Sequence, residues 1–312
     1  MSSSKALTLA LLFLCPLRAT ADFRASCDQF VNAFADPLVD AGARSAHLHS
    51  IGGSLGFSPD RIDENRMREG VSTCDVKGDN SVYWAPTLYV HKDGQKIPLL
   101  AHFQAYYEAD EFDTSHADAA ILAHPLAMIV GNADGGASPE DMARYVRFVC
   151  ATRVGNSSHF DRTFSLVAGF HPAATCDQVR IDYMFPSCWN GQPYAADQSH
   201  VAYPDKKNDD RTCPPTHPRR FAQLRLNHRV ELPERMSWSP ETGGPPFSLS
   251  SGDITTAHAD VILLWDTSVL AKVQNECGRR DFSDCPFNGV AMRSDREIEL
   301  AMNEYVVPSL FV

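Results

Sequence analysis

Eight cysteines spread through a chain that opens with an export leader constrain the fold more than any other feature. Lys5 supplies a positive start and residues 6–14 form an uncharged apolar run. Ala19-Thr20-Ala21 then gives a small-x-small cleavage site, so residues 1–21 read as a secretory signal peptide cut before Asp22. The run is far shorter than the ~20 apolar residues of a spanning helix, so no membrane span is expected. The apolar tail, residues 306–312, is too short for a lipid-anchor signal. Cleavage removes Cys15 and leaves Cys27, Cys74, Cys150, Cys176, Cys188, Cys213, Cys277 and Cys285. An even count in an exported chain implies a framework of four disulfides. No C-x-x-C pair occurs, which argues against a zinc–thiolate site. Spacing leaves the connectivity open; sequential pairing is the simplest arrangement, and Cys277–Cys285 closes the shortest loop.

The remaining residues, 22–312, read as one domain with no repeat, low-complexity linker or composition shift to mark a boundary. Without Lys5 and Arg18, 26 basic residues face 39 acidic ones, a net charge of −13. That balance excludes sequence-independent binding to nucleic acid, which needs a basic footprint. Asn156-Ser157-Ser158, in a polar stretch, is an N-glycosylation acceptor in a eukaryotic host.

Short alternating segments dominate. Residues 82–90 (VYWAPTLYV) are aromatic and β-branched; Lys92-Asp93-Gly94-Gln95 turns tightly and residues 96–100 return, which is a hairpin pattern. Residues 103–107, 127–130, 145–150, 178–185, 221–226 and 258–265 also read as strands. Ser138-Pro139-Glu140-Asp141 can start a short helix, and residues 266–277 place Val269, Leu270, Val273 and Cys277 on one helical face. The expectation is a mainly β fold, an antiparallel, jelly-roll-like β-sandwich with few short helices, stapled by disulfides.

Several clusters could carry chemistry. In His47-Leu48-His49 the histidines face the same way on an extended chain, a cheap two-imidazole chelate, and Gly52-Gly53 after it keeps the backbone open. His258-Ala259-Asp260 repeats the same-face spacing with a carboxylate beside an imidazole, which suits acid–base work or metal binding. Shared-site geometry would require these two pairs to converge. Asp79-Asn80 leads into the strand bearing Tyr83 and Trp84, which point to opposite faces, so Trp84 could be a sugar-stacking platform. Trp189, His200 and Tyr203 lie in or beside a loop fixed by Pro186, Cys188 and Asn190-Gly191. Alternation there predicts Val201 and Tyr203 inward and His200 on the polar face. His217, among prolines, reads as a loop hydrogen-bonder. There is no G-x-S-x-G elbow, P-loop or G-x-G-x-x-G.

Taken jointly, these stretches resemble a secreted family of fungi and some bacteria, the domain of unknown function 1996. The likeness runs from about Cys27 to about Cys277. It rests on Asp36-Pro37-Leu38, Ser45 through His49 with Gly52-Gly53, Asp79 through Pro86 with Leu88-Tyr89, and Tyr106-Tyr107. It continues at Phe185 through Gly191, Ser199 through Pro204, Cys213 through Pro218, Ser251-Gly252-Asp253 and His258-Ala259-Asp260. The chain departs from the family at Gln198, at Thr255-Thr256 and at Leu264-Trp265. Relatives of this kind are sometimes joined to small sugar-binding modules, so the resemblance implies a wall-polysaccharide setting but no reaction.

The resulting expectation is a secreted protein acting on or binding extracellular polysaccharide, as a hydrolase or lyase. His49, His200, His258 and Asp260 would be acid–base groups supported by Asp79; Trp84, Trp189 and Tyr203 would stack on sugars. One alternative is a non-catalytic carbohydrate-binding or wall-associated protein. Another is a protein that binds a divalent metal through His47, His49 and His258.

Overall fold

The computed structural model describes residues 23–108, 119–132, 138–155, 160–164, 169–205, 212–277 and 291–304. Its strands are β1 (Phe23–Ala33), β2 (His49–Gly53), β3 (Val82–Pro86), β4 (Leu88–Lys92), β5 (Gln95–Pro98), β6 (Ala101–Glu108), β7 (Leu126–Gly131) and β8 (Val146–Arg153). They continue as β9 (Phe160–Phe164), β10 (Ala174–Met184), β11 (Cys188–Trp189), β12 (Val201–Ala202), β13 (Arg219–Arg220), β14 (Gln223–Trp238), β15 (Phe247–Leu249) and β16 (His258–Leu263). The helices are α1 (Glu64–Glu69), α2 (Pro139–Tyr145), α3 (Thr267–Cys277) and α4 (Asp295–Glu304). The fold is mainly β, as its sequence predicts. The segments read as strands and the helices expected at Pro139 and Thr267 are present.

Ten strands form one antiparallel sheet in the order β7-β16-β3-β2-β1-β6-β14-β10-β8-β9. Strand β1 is its corner. Phe23–Asp28 pair with β6, Gln29–Ala33 pair with β2, and the register shifts between Gln29 and Val31. A bulge bends a strand and increases its twist, so the two halves of the sheet curl to face each other and β7 comes against β10. Alternation then sorts the side chains. Ala25, Phe103, Leu226, Ile181, Tyr83 and Val261 meet between the halves in the main core. Trp84, Ile51, Ala127 and Ile262 point out of the β2-β3-β16-β7 half, and Ala35, Leu38, Phe57 and Met67 cover them in a second apolar cluster.

Gly52 and Gly53 serve this corner instead of leaving the backbone open to a ligand. A Cβ on Gly52 would lie 2.8 Å from the Asp28 carbonyl oxygen, and one on Gly53, at φ +105°, 2.2 Å from that of Ser81. Three disulfides join consecutive cysteines: Cys27–Cys74, Cys150–Cys176 and Cys188–Cys213. Cys285, the expected partner of Cys277, and the acceptor Asn156 lie outside the described residues.

Candidate metal centre

Two strands of the outer cluster bring the site together. His49 opens β2, His258 opens β16, and β3 lies between them with Trp84 in register with both Ile51 and Asp260. Because side chains two apart share a face, His49, His258 and Asp260 all project outward beneath residues 34–48. His47, two residues upstream, reaches the same point. The ligating atoms of His47, His49 and His258 all lie within 4.8 Å of one another, and so do those of Asp36, His49 and Asp260. The two same-face pairs, more than two hundred residues apart, therefore converge. His47 alone of the five is partly exposed; the others are buried.

Proton positions follow from the hydrogen bonds. His258 Nδ1–H donates to the Thr256 carbonyl at 2.8 Å, which leaves Nε2 as a lone pair. That lone pair faces His47 Nε2 at 3.0 Å. A ring whose Nδ1 is tied to a carbonyl and whose Nε2 is free is the arrangement second-shell bonding imposes on a metal-ligating histidine. Neither ring nitrogen of His49 and neither oxygen of Asp260 has a hydrogen-bond partner, although both residues are fully buried.

Burial sets the charge states. It lowers His47, holds His49 well below the usual imidazole range and brings His258 to about 4, so all three are neutral. Burial also pushes Asp260 well above the usual carboxylate range, with nearby Asp36 adding to the rise. Asp36 is raised to about 6 by burial, against backbone bonds from Leu38 and Val39 at its Oδ1. An orphaned buried histidine and an orphaned buried carboxylate are costly. A cation bound between them would supply the missing partner. Neutral imidazoles with carboxylates are the donor set of zinc and similar divalent transition metals.

The loop between β11 and β12 closes the site. Tyr194 donates its hydroxyl to the Leu38 carbonyl at 3.1 Å, and burial, with Asp260 and Asp36, raises that phenol to about 12. Gln198, at φ +59°, accepts from the Ile129 amide on the edge strand β7 at 2.9 Å. Sequence reasoning did not select Asp36 or Tyr194 for the site. Asp36 was visible only as part of Asp36-Pro37-Leu38, whose side-chain bonds to Leu38 and Val39 read as a turn.

Four sequence-stretch readings need correction. His200 does not sit on a polar face: it is 1% exposed, its Nε2 donates to the Ala127 carbonyl at 2.8 Å, and its Nδ1 accepts from the Ala195 amide. Both nitrogens are used, so it fastens the loop and is not an acid–base group. Trp84 is fully buried against Phe57 and offers no face to a sugar. Asp79 lies inside the main core, beside Trp265 at the far end of β16. There it accepts from the Ser81 amide and the Tyr83 hydroxyl, both at 3.0 Å. Its oxygen also lies near the sulfurs of Cys27 and Cys74, but those are bonded to each other and offer no thiolate. Tyr203 gives its hydroxyl to the Met184 carbonyl at 2.6 Å and stacks on Tyr145. Trp189 is half-buried, donates to the Gln192 carbonyl and lies under the Arg219 guanidinium. Among the described residues, no hydrogen bond or ring contact joins Trp189 or Tyr203 to the histidines. His217 is a loop hydrogen-bonder, with Nε2 on the Ser199 carbonyl at 3.0 Å.

These features define a disulfide-stapled, curled antiparallel β-protein with a buried three-histidine, two-carboxylate cluster on the outer face of one half. The chain belongs to the family described as Domain of unknown function (DUF1996), whose family model matches residues 36–265 and so spans every member of the cluster. No curated protein and no solved structure matches it.

Proposed function

We propose that this is a secreted protein that acts on extracellular or cell-wall polysaccharide through a divalent transition metal held by His47, His49 and His258. The observation that carries the reading is His258, whose Nδ1 is tied to the Thr256 carbonyl while Nε2 is aimed at His47 Nε2 at 3.0 Å. Three imidazoles are a catalytic ligand set because they leave a coordination position for water or substrate. The metal would lower the pKa of a bound water or polarise a substrate oxygen. Asp260 and Asp36, within 4.8 Å of a His49 nitrogen, would orient that ring and accept a proton. His47, partly exposed, marks the side from which solvent reaches the cluster. The disulfides support an extracellular setting, and the family's wall-polysaccharide associations support the substrate class.

The test has two arms. Elemental analysis of protein dialysed against zinc, copper, manganese or cobalt should give close to one metal per chain, lost in His49→Ala. Incubation with a polysaccharide panel, scored for new reducing ends and unsaturated products, should show activity that chelation removes and metal restores. Absence of stoichiometric metal sinks the centre; stoichiometric metal without any product sinks the polysaccharide chemistry alone.

A further inference from the structure

The other half of the sheet carries an unusual outer face. Register places Arg147, Asp182, Asn227, Gln104 and Ser26 in one row across β8, β10, β14, β6 and β1. The next row on the same face contains Arg180, Arg229, His102 and Asp28, and the row on the other side contains Arg225, Tyr106 and Arg24. Alternation assigns this face to the side opposite the main core, which takes Val179, Ile181, Leu226, Phe103 and Ala105. It is therefore also opposite the outer face that bears the histidines.

The charges on this face do not cancel. Asp182 is held by Arg180 at 2.6 Å, Glu108 by Arg225 at 2.6 Å, Glu231 by Arg229, and Asp28 by His102 at 2.6 Å. Arg24 and Arg147 are left over, with no side-chain hydrogen bond or ion pair among the described residues. They stand four strand spacings apart, about 19 Å. Between them Asn227 is fully buried and neither its amide nitrogen nor its carbonyl oxygen has a partner. A chain of net charge −13 has thus placed two unmatched guanidiniums and an unmatched amide on one row-patterned face.

Guanidinium pairs bidentately with carboxylate, and an amide offers a donor and an acceptor to hydroxyl groups. Spacing of about 19 Å suits an extended polymer and not a small ligand. We propose that this face anchors an acidic polysaccharide, a uronate-containing chain lying across the strands. Its carboxylates would meet Arg24 and Arg147, and its hydroxyls would meet Asn227 and Gln104. The anchor is separate from the histidine centre.

The experiment is affinity electrophoresis of the full chain in gels containing polygalacturonate, a neutral β-glucan or polyglutamate, each with and without EDTA. Retardation by polygalacturonate alone, unchanged by EDTA, is expected. The exposed-face double variant Arg24→Glu/Arg147→Glu should weaken it at least tenfold, with the melting temperature held. Arg61→Glu, a charge reversal on the α1 cap outside the face, should leave it intact. Equal retardation by the neutral glucan, equal retardation by polyglutamate, or an unaffected double variant would overturn the proposal. So would loss on EDTA, which would move the binding to the histidine centre. Failure of the metal analysis above leaves this outcome untouched, and the reverse also holds.

Discussion

His47 and His258 are 211 residues apart in sequence, yet their Nε2 atoms meet at 3.0 Å. Only one proton can lie between them. His258 already donates through Nδ1 to Thr256, so in the metal-free protein His47 supplies the proton and His258 accepts it. A metal entering at that point displaces one proton and gains two lone pairs, with His49 alongside as a third. The contact is thus a prepared ligand pair that a single hydrogen bond keeps closed until metal arrives.

Metal should therefore stabilise the fold. At a free concentration a hundred times the dissociation constant, a ligand that binds only the native state adds about 2.7 kcal/mol. Thermal melts with and without zinc should show a rise in the wild type. The rise should vanish in His49→Ala and His258→Ala and persist in His217→Ala, whose ring bonds a loop carbonyl away from the cluster. A rise of equal size in all four proteins would place the metal elsewhere.

His200→Ala should cost about 1–3 kcal/mol, because Ala127 O is left buried without its donor. Since His200 also fastens the loop that carries Tyr194, activity and metal retention should weaken in proportion to lost stability and recover at low temperature. Denaturant titration beside metal content at two temperatures decides it. Loss of activity with stability unchanged would return His200 to the reacting groups.

The parts of this fold that were legible follow from local pattern. Period-two alternation marked β3, β4, β6, β7, β8, β10 and β16, and the i, i+2 spacing of His47-His49 and His258-Asp260 marked the faces that converge. Other features depended on partners remote in sequence. β1 alternates cleanly in burial along Phe23, Ala25, Cys27 and Gln29, but its task as the corner depends on β2 and β6 pairing to different ends of it. The long strand β14 continues past Pro233, which cannot donate to a ladder. It does so because the pairing with β10 is interrupted there, between Glu231 and Met236. His200 looked exposed because its partner carbonyl is 73 residues away. Trp84 looked available because the segment that buries it, Phe57 with Ala35 and Leu38, is not sheet.

Trp84→Ala should destabilise by about 3–5 kcal/mol, as for a large aromatic removed from a core. Trp189→Ala, half-buried under Arg219, should cost much less. Chemical denaturation of the two variants under oxidising conditions checks the order. The reverse order would mean that Trp84 is not packed as described.

Asp79 and His228 should give opposite pH signatures. Tyr107 donates to Tyr83, Trp265 to Tyr107 and Tyr83 to Asp79, so the network ends on one carboxylate that burial raises to about 6. A raised carboxylate binds its proton more tightly in the folded state. The stability it contributes is therefore present below its unfolded value near 3.8 and is lost as pH rises to about 6. His228 is buried against Phe103 and lowered by that burial to about 4. It stays neutral when folded, so its contribution is present above 6.5 and is lost as pH falls toward 4. Each shift corresponds to about 3 kcal/mol across its window. Subtracting the pH–stability curve of Asp79→Asn from that of the wild type should leave a difference that falls between pH 4 and 6. Subtracting that of His228→Phe should leave one that rises between pH 4 and 6.5. Flat differences would mean that these groups titrate folded as they do unfolded, which their burial without solvent contact does not allow.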